Sequence, residues 1–421
     1  MSAGRLAIEG GTPVRRKPLP LHRNIGIEEL EQLLRVIKTK NLFRWGKGAG
    51  AVEEFERRFA ERLKVKHAVA TTSGTAALHV AVAAINPEPA DEIITAPITD
   101  MGTVIAILQC NAIPVFADVD PETYCIDPKS VEERITERTK AVIAVHLFGH
   151  PCEMDELLRI CQKHGIYLIE DCSQAHLAEY KGRKVGTFGH INAFSFQQSK
   201  HLTMGDGGMT VTDDDGLFER AMFFADKGWR RGGEFREYLF LGINYRMTEL
   251  QGAVGLAQLE KWQWVVDQRN RWGSYLSKLL SEVEGISPPK VREGCKHVYW
   301  LYAFTIDEEM LGPAREFARA VSAEGIPCGT GYIGIPLYLT DCLRERITYG
   351  TSSCPYTCPR ASRDVRYYEG LCPNAEAALK RMLTIPINEH YTERDVEDIA
   401  EAIRKVAEAK KSKGGKKRGH R

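Results

Sequence analysis

Residues 192–208 read NAFSFQQSKHLTMGDGG, so an apolar run is followed by a lysine and then by a cluster of glycines. The run predicts a strand over residues 191–196, and Lys200 comes four residues after its end. A lysine beside a tight turn at the end of a strand can present its ammonium group to the cleft at the carboxyl edge of a parallel sheet. Partial burial there would lower the pKa of the amine, which could then form a Schiff base with a carbonyl group. Taken alone, one lysine near glycines is weak evidence, and a surface lysine is the favoured interpretation.

Strand and helix patterns alternate around this segment as far as residue 265. The predicted strands span residues 67–72, 92–96, 114–118, 141–146, 167–171, 191–196 and 209–212. Helical patterns lie between several of them, at residues 75–85, 102–109 and 152–164. This alternation predicts an α/β fold, with a mostly parallel central sheet and helices on both faces.

The pattern changes after a long predicted helix over residues 248–267. Beyond it we expect helices at 269–284, 314–324 and 393–409 and a strand at 302–306, which together indicate a smaller α+β domain. The predicted domains are therefore a large domain of residues 1–265 with an N-terminal arm, a small domain of residues 266–409, and a basic, disordered tail of residues 410–421. Residues 338–374 are rich in Cys, Pro, Tyr and Ser, and are expected to form an irregular loop of a kind that often faces substrate.

Composition excludes several classes of partner. The chain has 421 residues, with 57 Lys and Arg against 56 Asp and Glu, so its overall charge indicates neither nucleic acid nor membrane. The N-terminus lacks the apolar core of a signal peptide, which predicts a cytoplasmic location. The eleven cysteines are interpreted as free thiols of a reducing compartment. A zinc site at Cys354 and Cys358 is a weaker alternative, because the spacing is loose and no histidine is close.

Residues 167–176, YLIEDCSQAH, place Asp171 at the end of another predicted strand. A buried carboxylate is costly unless a cation pairs with it. The protonated nitrogen of a pyridine ring is such a cation, and the carboxylate would keep that ring an electron sink. A helix-capping aspartate is the alternative interpretation.

A third strand leads into Ser73, Gly74 and Thr75, and then into an alanine-rich helix. Free amides and hydroxyl groups at a helix N-terminus are well suited to hold a phosphate. An ordinary N-cap would have the same residue types. Ser195 could bring another hydroxyl to the same phosphate.

Five motifs in order carry a resemblance that no single one of them could. They are SGTAAL at 73–78, PVFADVDPETYCIDP at 114–128, EDCSQAH at 170–176, FSFQQSK at 194–200 and LGINYRMTELQGAVGLAQL at 241–259. Together they resemble the DegT/StrS family of sugar aminotransferases, which depend on pyridoxal 5′-phosphate (PLP). The resemblance implies a fold type I enzyme that works as a homodimer.

The resemblance also implies a role for individual residues. Lys200 matches the lysine that joins PLP covalently and moves the proton, Asp171 the carboxylate on the pyridine nitrogen, and Gln174 the polar side chain beside the ring. The phosphate contacts match Gly74, Thr75 and Ser195, next to Ser73. Asn244 matches a phosphate ligand that the other subunit delivers.

Two positions depart from the family pattern. Where the family usually has an aromatic residue that stacks on the cofactor, residues 97–103 read PITDMGT and Asp100 takes that place. Met101 or aliphatic neighbours could cover the ring instead, or the stack could be lost. Asp206 stands where the family prefers Glu.

By this resemblance, glutamate or glutamine gives an amino group to the ketone of a nucleotide-linked keto-sugar or of a keto-cyclitol such as a scyllo-inosose. The presence of Lys200 argues against the branch of the family in which a histidine replaces it and the enzyme is a dehydratase. Three alternatives remain open from the sequence: a non-catalytic sensor or regulator, a PLP-dependent elimination, and an enzyme like 3-amino-5-hydroxybenzoate synthase. No metal is expected.

Overall fold

The computed structural model describes residues 5–418 apart from Arg23 and Ala49, and only the backbone of residues 413–418. The helices are α1 (Ile27–Lys38), α2 (Ala51–Leu63), α3 (Gly74–Ala84), α4 (Met101–Gln109), α5 (Pro128–Arg134), α6 (Met154–His164), α7 (Asp215–Ala225), α8 (Glu249–Leu280), α9 (Glu308–Leu311), α10 (Ala314–Ala323), α11 (Asp341–Arg344), α12 (Pro373–Arg381) and α13 (Glu393–Arg418). The strands are β1 (His67–Thr71), β2 (Glu92–Thr95), β3 (Ile113–Phe116), β4 (Thr139–Val145), β5 (Tyr167–Asp171), β6 (Glu179–Tyr180), β7 (Arg183–Lys184), β8 (Ile191–Ser195), β9 (Gly208–Thr212), β10 (Trp229–Arg230), β11 (Glu237–Tyr238), β12 (Ile286–Ser287), β13 (Cys295–Lys296), β14 (Leu301–Ile306), β15 (Gly329–Thr330) and β16 (Met382–Pro386).

The central sheet has the strand order β1-β9-β8-β5-β4-β2-β3. Its pairs are parallel except those of β9, which runs antiparallel to both β1 and β8. All seven strands predicted for this sheet are present, with ends within two residues of those predicted. The predicted α/β architecture with a mostly parallel sheet is confirmed.

Helices cover both faces of this sheet. Successive residues of a strand point to opposite faces, so each residue packs against the helices on its own side. On one face Ile143 and Ile169 pack with α3 and α7. On the other face their neighbours Val142 and Leu168 pack with α5 and α6. The strands are therefore apolar along their length rather than alternating, which is typical of a parallel sheet covered on both sides.

A second, antiparallel sheet has the order β12-β14-β16-β15 and packs against α10 and α13. Leu6 and Leu19 of the N-terminal arm are buried in the same core. The predicted smaller α+β unit is thus present, and the start of the chain folds onto it.

The two helices expected on either side of residue 268 form one continuous helix, α8, of 32 residues. It begins with a capping box, in which the Thr248 hydroxyl accepts from the Gln251 amide and the Gln251 side chain accepts from the Thr248 amide. The chain around residue 268 contains no proline, which would have ended or kinked the helix. Gly273 within the helix gives room to Tyr299, whose Cγ would lie 2.3 Å from an added Cβ.

Residues 338–374 are largely irregular, as the sequence predicts, but they pack on the central sheet and do not line the cavity described below. Tyr338, Tyr356 and Tyr367 are buried in the core of the central sheet, and the Tyr367 hydroxyl donates to the carbonyl of Pro114 in β3 at 2.5 Å. The segment therefore covers the edge strand, which would otherwise expose unpaired backbone groups. Its cysteines are free thiols, and in the described residues their sulfur atoms belong to no group of metal-ligating side chains.

The C-terminal helix α13 continues past the predicted start of the disordered tail, so residues 410–418 are helical. Lys410 and Lys411 donate to the carboxylates of Glu316 and Glu284 at 3.1 and 2.7 Å, contacts that a pattern of like charges does not reveal. The last three residues of the tail lie outside the described part of the chain. Within that part, no helix combines the length and the apolar character that a membrane span requires.

Candidate functional site

The predicted site residues meet at one cavity, which lies where β5 and β8 end and α3 begins. Its volume is about 340 Å³, and seven of the eight predicted residues line it: Ser73, Gly74, Thr75, Asp171, Gln174, Ser195 and Lys200. The remaining predicted residue, Asn244, is described below. The site therefore lies at the carboxyl ends of parallel strands, where ligands bind in open α/β sheets.

Lys200 lies in the turn between β8 and β9 and is only 9% exposed. Its burial lowers the pKa of the amine to about 8, while the nearby carboxylates of Asp171 and Asp100 oppose that shift. No ion pair joins its Nζ to any carboxylate in the described residues. A substantial fraction of the amine is therefore neutral near physiological pH, as a nucleophile requires.

Asp171 ends β5 and is 4% exposed. Its Oδ2 accepts from the Thr103 hydroxyl at 2.9 Å, and its Oδ1 accepts from the Ser173 amide at 3.1 Å. These donors are neutral, and within the described chain Asp171 has no ion pair. A buried carboxylate that faces a cavity in this state is suited to a cationic ligand, so it fits the nitrogen of a protonated pyridine.

The start of α3 fits the phosphate of such a cofactor. Ser73 is the N-cap of α3, and its Oγ accepts from the Ala76 amide at 3.1 Å. Ser73 therefore caps the helix and also lines the cavity. A Cβ on Gly74 would lie 2.5 Å from the Cβ of Ser195. Only glycine lets the end of β8 approach the first turn of α3, and this approach brings the hydroxyls of Thr75 and Ser195 to one helix N-terminus.

Gln174 has both ends of its side-chain amide engaged. Its Oε1 accepts from the Phe148 amide at 2.8 Å, and its Nε2 donates to the Tyr332 hydroxyl at 3.0 Å. Burial raises the pKa of Tyr332, so the phenol stays protonated. The amide is thereby fixed in one orientation beside the cavity.

Two aromatic residues of the cavity wall, Trp300 and Tyr332, were not predicted from the sequence. Trp300 immediately precedes β14, and the centroid of its indole ring is 3.8 Å from Lys200 Nζ. The Trp300 and Tyr332 rings meet edge to face, with centroids 6.0 Å apart. The only sequence signal was the aromatic run YWLY at 299–302, which also matches an ordinary core strand.

The position of the usual stacking residue is used differently. Asp100 is exposed, and its Oδ1 accepts from the Gly102 amide at 2.8 Å as the N-cap of α4. Met101 lines a separate cavity with Ile105 and Leu108, so it does not replace the missing ring. Asp206 lines the cofactor cavity.

Asn244 lies outside the cavity of its own chain. It is exposed, and it pairs with Asp226 in an isolated β-bridge. Its neighbours Leu241 and Ile243 are 94% and 38% exposed. An exposed position beside apolar residues is what delivery to another subunit requires.

Two buried histidines behind the cavity were also not predicted. His176 Nδ1 accepts from Trp262 Nε1 at 3.2 Å, so its Nε2 donates to the Ser195 carbonyl at 3.0 Å. Burial lowers the pKa of His176 to about 3, and the ring is neutral. His201 bonds through Nε2 to the Val298 carbonyl at 2.9 Å. These rings hold β8 and the Lys200 turn in place.

Comparison with known proteins agrees with this geometry. Residues 23–404 match the DegT/DnrJ/EryC1/StrS aminotransferase family. The L-glutamine:2-deoxy-scyllo-inosose aminotransferase of Streptomyces kanamyceticus is 33% identical over 433 residues, covering 96% of this chain and 97% of that protein. The GDP-perosamine synthase of Vibrio cholerae is 38% identical over 262 residues, covering 61% of this chain and 70% of that enzyme.

The fold is similar to that of DesI, solved in the presence of its TDP-sugar product. That structure has a TM-score of 0.82 and 27% sequence identity, and the match covers 98% of this chain and 99% of the other. The family match spans most of the chain, and its range includes the residues that line the cavity. This chain belongs to the DegT/DnrJ/EryC1/StrS aminotransferase family.

Proposed function

We propose that this aminotransferase binds PLP in the 340 Å³ cavity and moves an amino group from glutamate or glutamine to the ketone of a cyclic polyol substrate. That substrate is either a nucleotide-linked keto-sugar or a keto-cyclitol. The observation that carries the proposal is one cavity lined by a buried lysine, a buried carboxylate without an ion pair in the described residues, and a helix N-terminus. Relatives with names of both kinds support the two substrate classes.

Each end of the cofactor has a matching group in the chain. The carboxylate of Asp171 would hold the ring nitrogen, and Gln174 would lie beside the ring. The phosphate would meet the first turn of α3 with Thr75 and Ser195. When bound, PLP supplies the electron sink that stabilises negative charge at the carbon undergoing transfer.

Lys200 carries out the proton transfers. Its Nζ takes a proton from the α-carbon of the donor and returns one to the carbon that receives the amino group. An amine whose pKa is about 8 can both accept and release a proton near neutral pH. Trp300 and Tyr332 exclude water from one side of this amine.

We also propose a homodimer that shares two sites. Large apolar side chains are exposed on α1, on the segment before it and on two loops: Leu21, Ile25, Ile27, Leu30, Leu34, Ile37, Leu42, Phe43, Trp45, Phe235, Tyr238, Leu239, Leu241 and Ile243. The guanidinium of Arg231 lies over Trp45 and Trp229, at 5.1 and 3.9 Å from the ring centroids, which joins the two loops into one surface. Many exposed large apolar side chains in a few segments are typical of a protein interface. Asn244 lies at its margin and would reach the partner's phosphate. We further propose that the boundary between the two domains lies near residue 265, within α8, and that the protein is cytoplasmic.

A two-stage assay tests the proposal. The chain is loaded with PLP, and its visible absorbance is followed after glutamine or glutamate is added. ¹⁵N transfer from the labelled donor to scyllo-inosose or to a nucleotide-diphosphate keto-sugar is then measured by mass spectrometry. A donor-induced spectral shift and a labelled amine on one acceptor are expected. A regulator would give neither, and an elimination enzyme would give a spectral shift without transfer of label to an acceptor.

A further inference from the structure

The carboxylate of Asp171 is held at both oxygens, and the two donors come from different segments of the chain. Its Oδ1 accepts from the Ser173 amide in the loop after β5, and its Oδ2 accepts from the Thr103 hydroxyl of α4 at 2.9 Å. The terminal torsion of an aspartate is soft, so a carboxylate with one anchored oxygen can still turn. The second anchor, from another element, fixes the plane of this carboxylate relative to the cavity.

The hydroxyl of Thr103 is itself held, because it lies 2.8 Å from that of Thr99. Both threonines are buried, and both line the cofactor cavity. A hydroxyl has one hydrogen, and an ionised carboxylate can only accept. The hydrogen of Thr103 is therefore used on Asp171, and the hydrogen between the two threonines belongs to Thr99. The result is a chain of donors in one direction, in which each bond polarises the next.

The first turn of α4 sets the position of Thr103. The Asp100 carboxylate accepts from the Gly102 amide at 2.8 Å, and the Asp100 carbonyl accepts from the Thr103 amide at 3.2 Å. A Cβ on Gly102 would lie 2.6 Å from Thr75 Oγ1, so this turn packs closely against α3. Asp100, which stands where an aromatic residue was expected, therefore fixes the turn that carries Thr103.

We propose that Thr103 is a positioning residue for the cofactor, and that it acts through Asp171. With Thr99 behind it, its hydroxyl holds the carboxylate in the orientation that meets the pyridine nitrogen. The inference rests on the proposed function, which places that nitrogen at Asp171. Hydrogen bonds between charged groups are strong only when they are well aligned. A carboxylate that has turned away would leave two buried charges without their partners.

The ring nitrogen separates this role from general support of the fold. In the 1-deaza analogue of PLP a C–H group replaces that nitrogen, while the aldehyde and the phosphate are unchanged. The analogue can use the Lys200 amine and the proposed phosphate site in the same way, but it gives Asp171 nothing to hold. A residue that acts through Asp171 should therefore matter for binding of PLP and not for binding of the analogue.

The test compares T103V, T103S and T99V with T212V. Valine has nearly the size of threonine without the hydroxyl, and serine keeps the hydroxyl. Thr212 is a matched control, because it is also buried and its hydroxyl donates to the His190 carbonyl at 2.6 Å. It pairs with His67, at the end of β1 away from the cavity. Equilibrium titration gives the Kd of PLP and of the analogue for each variant, and single-turnover absorbance with glutamine gives the donor half-reaction.

For T103V we expect the Kd of PLP to rise by about tenfold, the scale of a lost hydrogen bond to a charged group, while the Kd of the analogue stays within about twofold. T99V should show the same selectivity with a smaller loss of PLP affinity, about threefold, because it removes the second bond of the chain. T103S should recover most of the affinity and of the donor rate. T212V should match the wild type with both compounds.

Unchanged PLP affinity in T103V would overturn the inference, and so would equal losses for PLP and the analogue, which a merely structural role predicts. If T103V does not fold, T99V decides by the same comparison. A wild-type protein that binds the two compounds equally well would instead refute the position of Asp171 at the ring nitrogen, and with it the proposed cofactor site.

Discussion

Gly74 packs against Ser195 so closely that an added Cβ would lie 2.5 Å from the Cβ of the serine. The contact joins the end of β8 to the first turn of α3, and it sets the distance between the hydroxyl of Ser195 and the helix N-terminus. The site that we propose for the phosphate therefore depends on the absence of a side chain at residue 74.

The variant Gly74→Ala should separate these two elements. Overpacking of a tight contact costs about 1–3 kcal/mol. If this cost falls on the PLP-bound state, the Kd for PLP should rise by about tenfold or more. Equilibrium titration of the chain with PLP measures the effect. Gly216→Ala, at an exposed position near the start of α7, is the control and should bind PLP normally. Wild-type affinity in Gly74→Ala would contradict the assignment.

Replacement of Lys200 by alanine should abolish transamination while the fold is retained. The side chain forms no ion pair in the described residues, so its loss removes little stabilising energy. We expect turnover to fall by more than about 10³-fold, with an unchanged circular dichroism spectrum. Lys163→Ala removes an exposed lysine of α6 and should behave as the wild type. Transamination by Lys200→Ala at a comparable rate would rule out the proposed mechanism.

The reaction of the chain with PLP should depend on pH through Lys200. Burial lowers the pKa of this amine to about 8, and only the neutral amine attacks the aldehyde. The second-order rate should therefore rise with pH, with a midpoint near 8, and level off above it. Stopped-flow absorbance between pH 6 and 10 measures the profile. Asp171→Asn should move the midpoint lower, because the carboxylate raises this pKa. A wild-type midpoint near the pKa of a free lysine would show that burial does not lower the pKa of Lys200.

Asp171→Asn should still bind PLP but exchange amino groups slowly. Without the carboxylate the ring nitrogen is not held protonated, and we expect the donor half-reaction to slow by about 10²-fold or more. Single-turnover absorbance with glutamine gives this rate directly. Asp155→Asn alters an exposed carboxylate that pairs with Lys181 and serves as the control. Equal rates in the two variants would show that Asp171 is not under the ring.

Asn244→Ala should lower PLP affinity, and mixing it with Lys200→Ala tests whether the site is shared. If Asn244 serves the partner's site, a mixed dimer has one site with both wild-type residues. Activity should then appear when the two inactive or weakened variants are unfolded and refolded together. If Asn244 acted within its own chain, no mixed dimer would have an intact site, and activity would not recover.

The sequence predicted the parts of the site that lie close together along the chain. Ser73 to Thr75, Asp171 to Gln174 and Ser195 to Lys200 each follow a strand of one parallel sheet, so a strand pattern is enough to bring them to one edge. Trp300 and Tyr332 could not be found in this way. They reach the cavity from the second sheet, and no local pattern states how that sheet is docked.

Two further differences have the same physical origin. The segment at 338–374 is irregular, as its composition predicts, but the bond from Tyr367 to the edge strand β3 is a long-range contact that composition does not encode. Helix α13 continues through a lysine-rich stretch because Lys410 and Lys411 find acidic partners on other elements. In α13 tertiary contacts overrode local preference, and in the irregular segment they fixed where it packs.

Helix α8 has a consequence for how this protein can be divided. Its first half contributes Leu256, Leu259 and Trp262 to the core beside the central sheet, and its second half contributes Leu276 and Leu280 to the core of the other sheet. At 1.5 Å per residue it is a strut of roughly 48 Å. A fragment that stopped at residue 265 would interrupt this helix and separate the N-terminal arm from Leu383 and its neighbours. It would also expose buried apolar side chains on both fragments. A fragment boundary or an inserted domain should therefore not fall within α8.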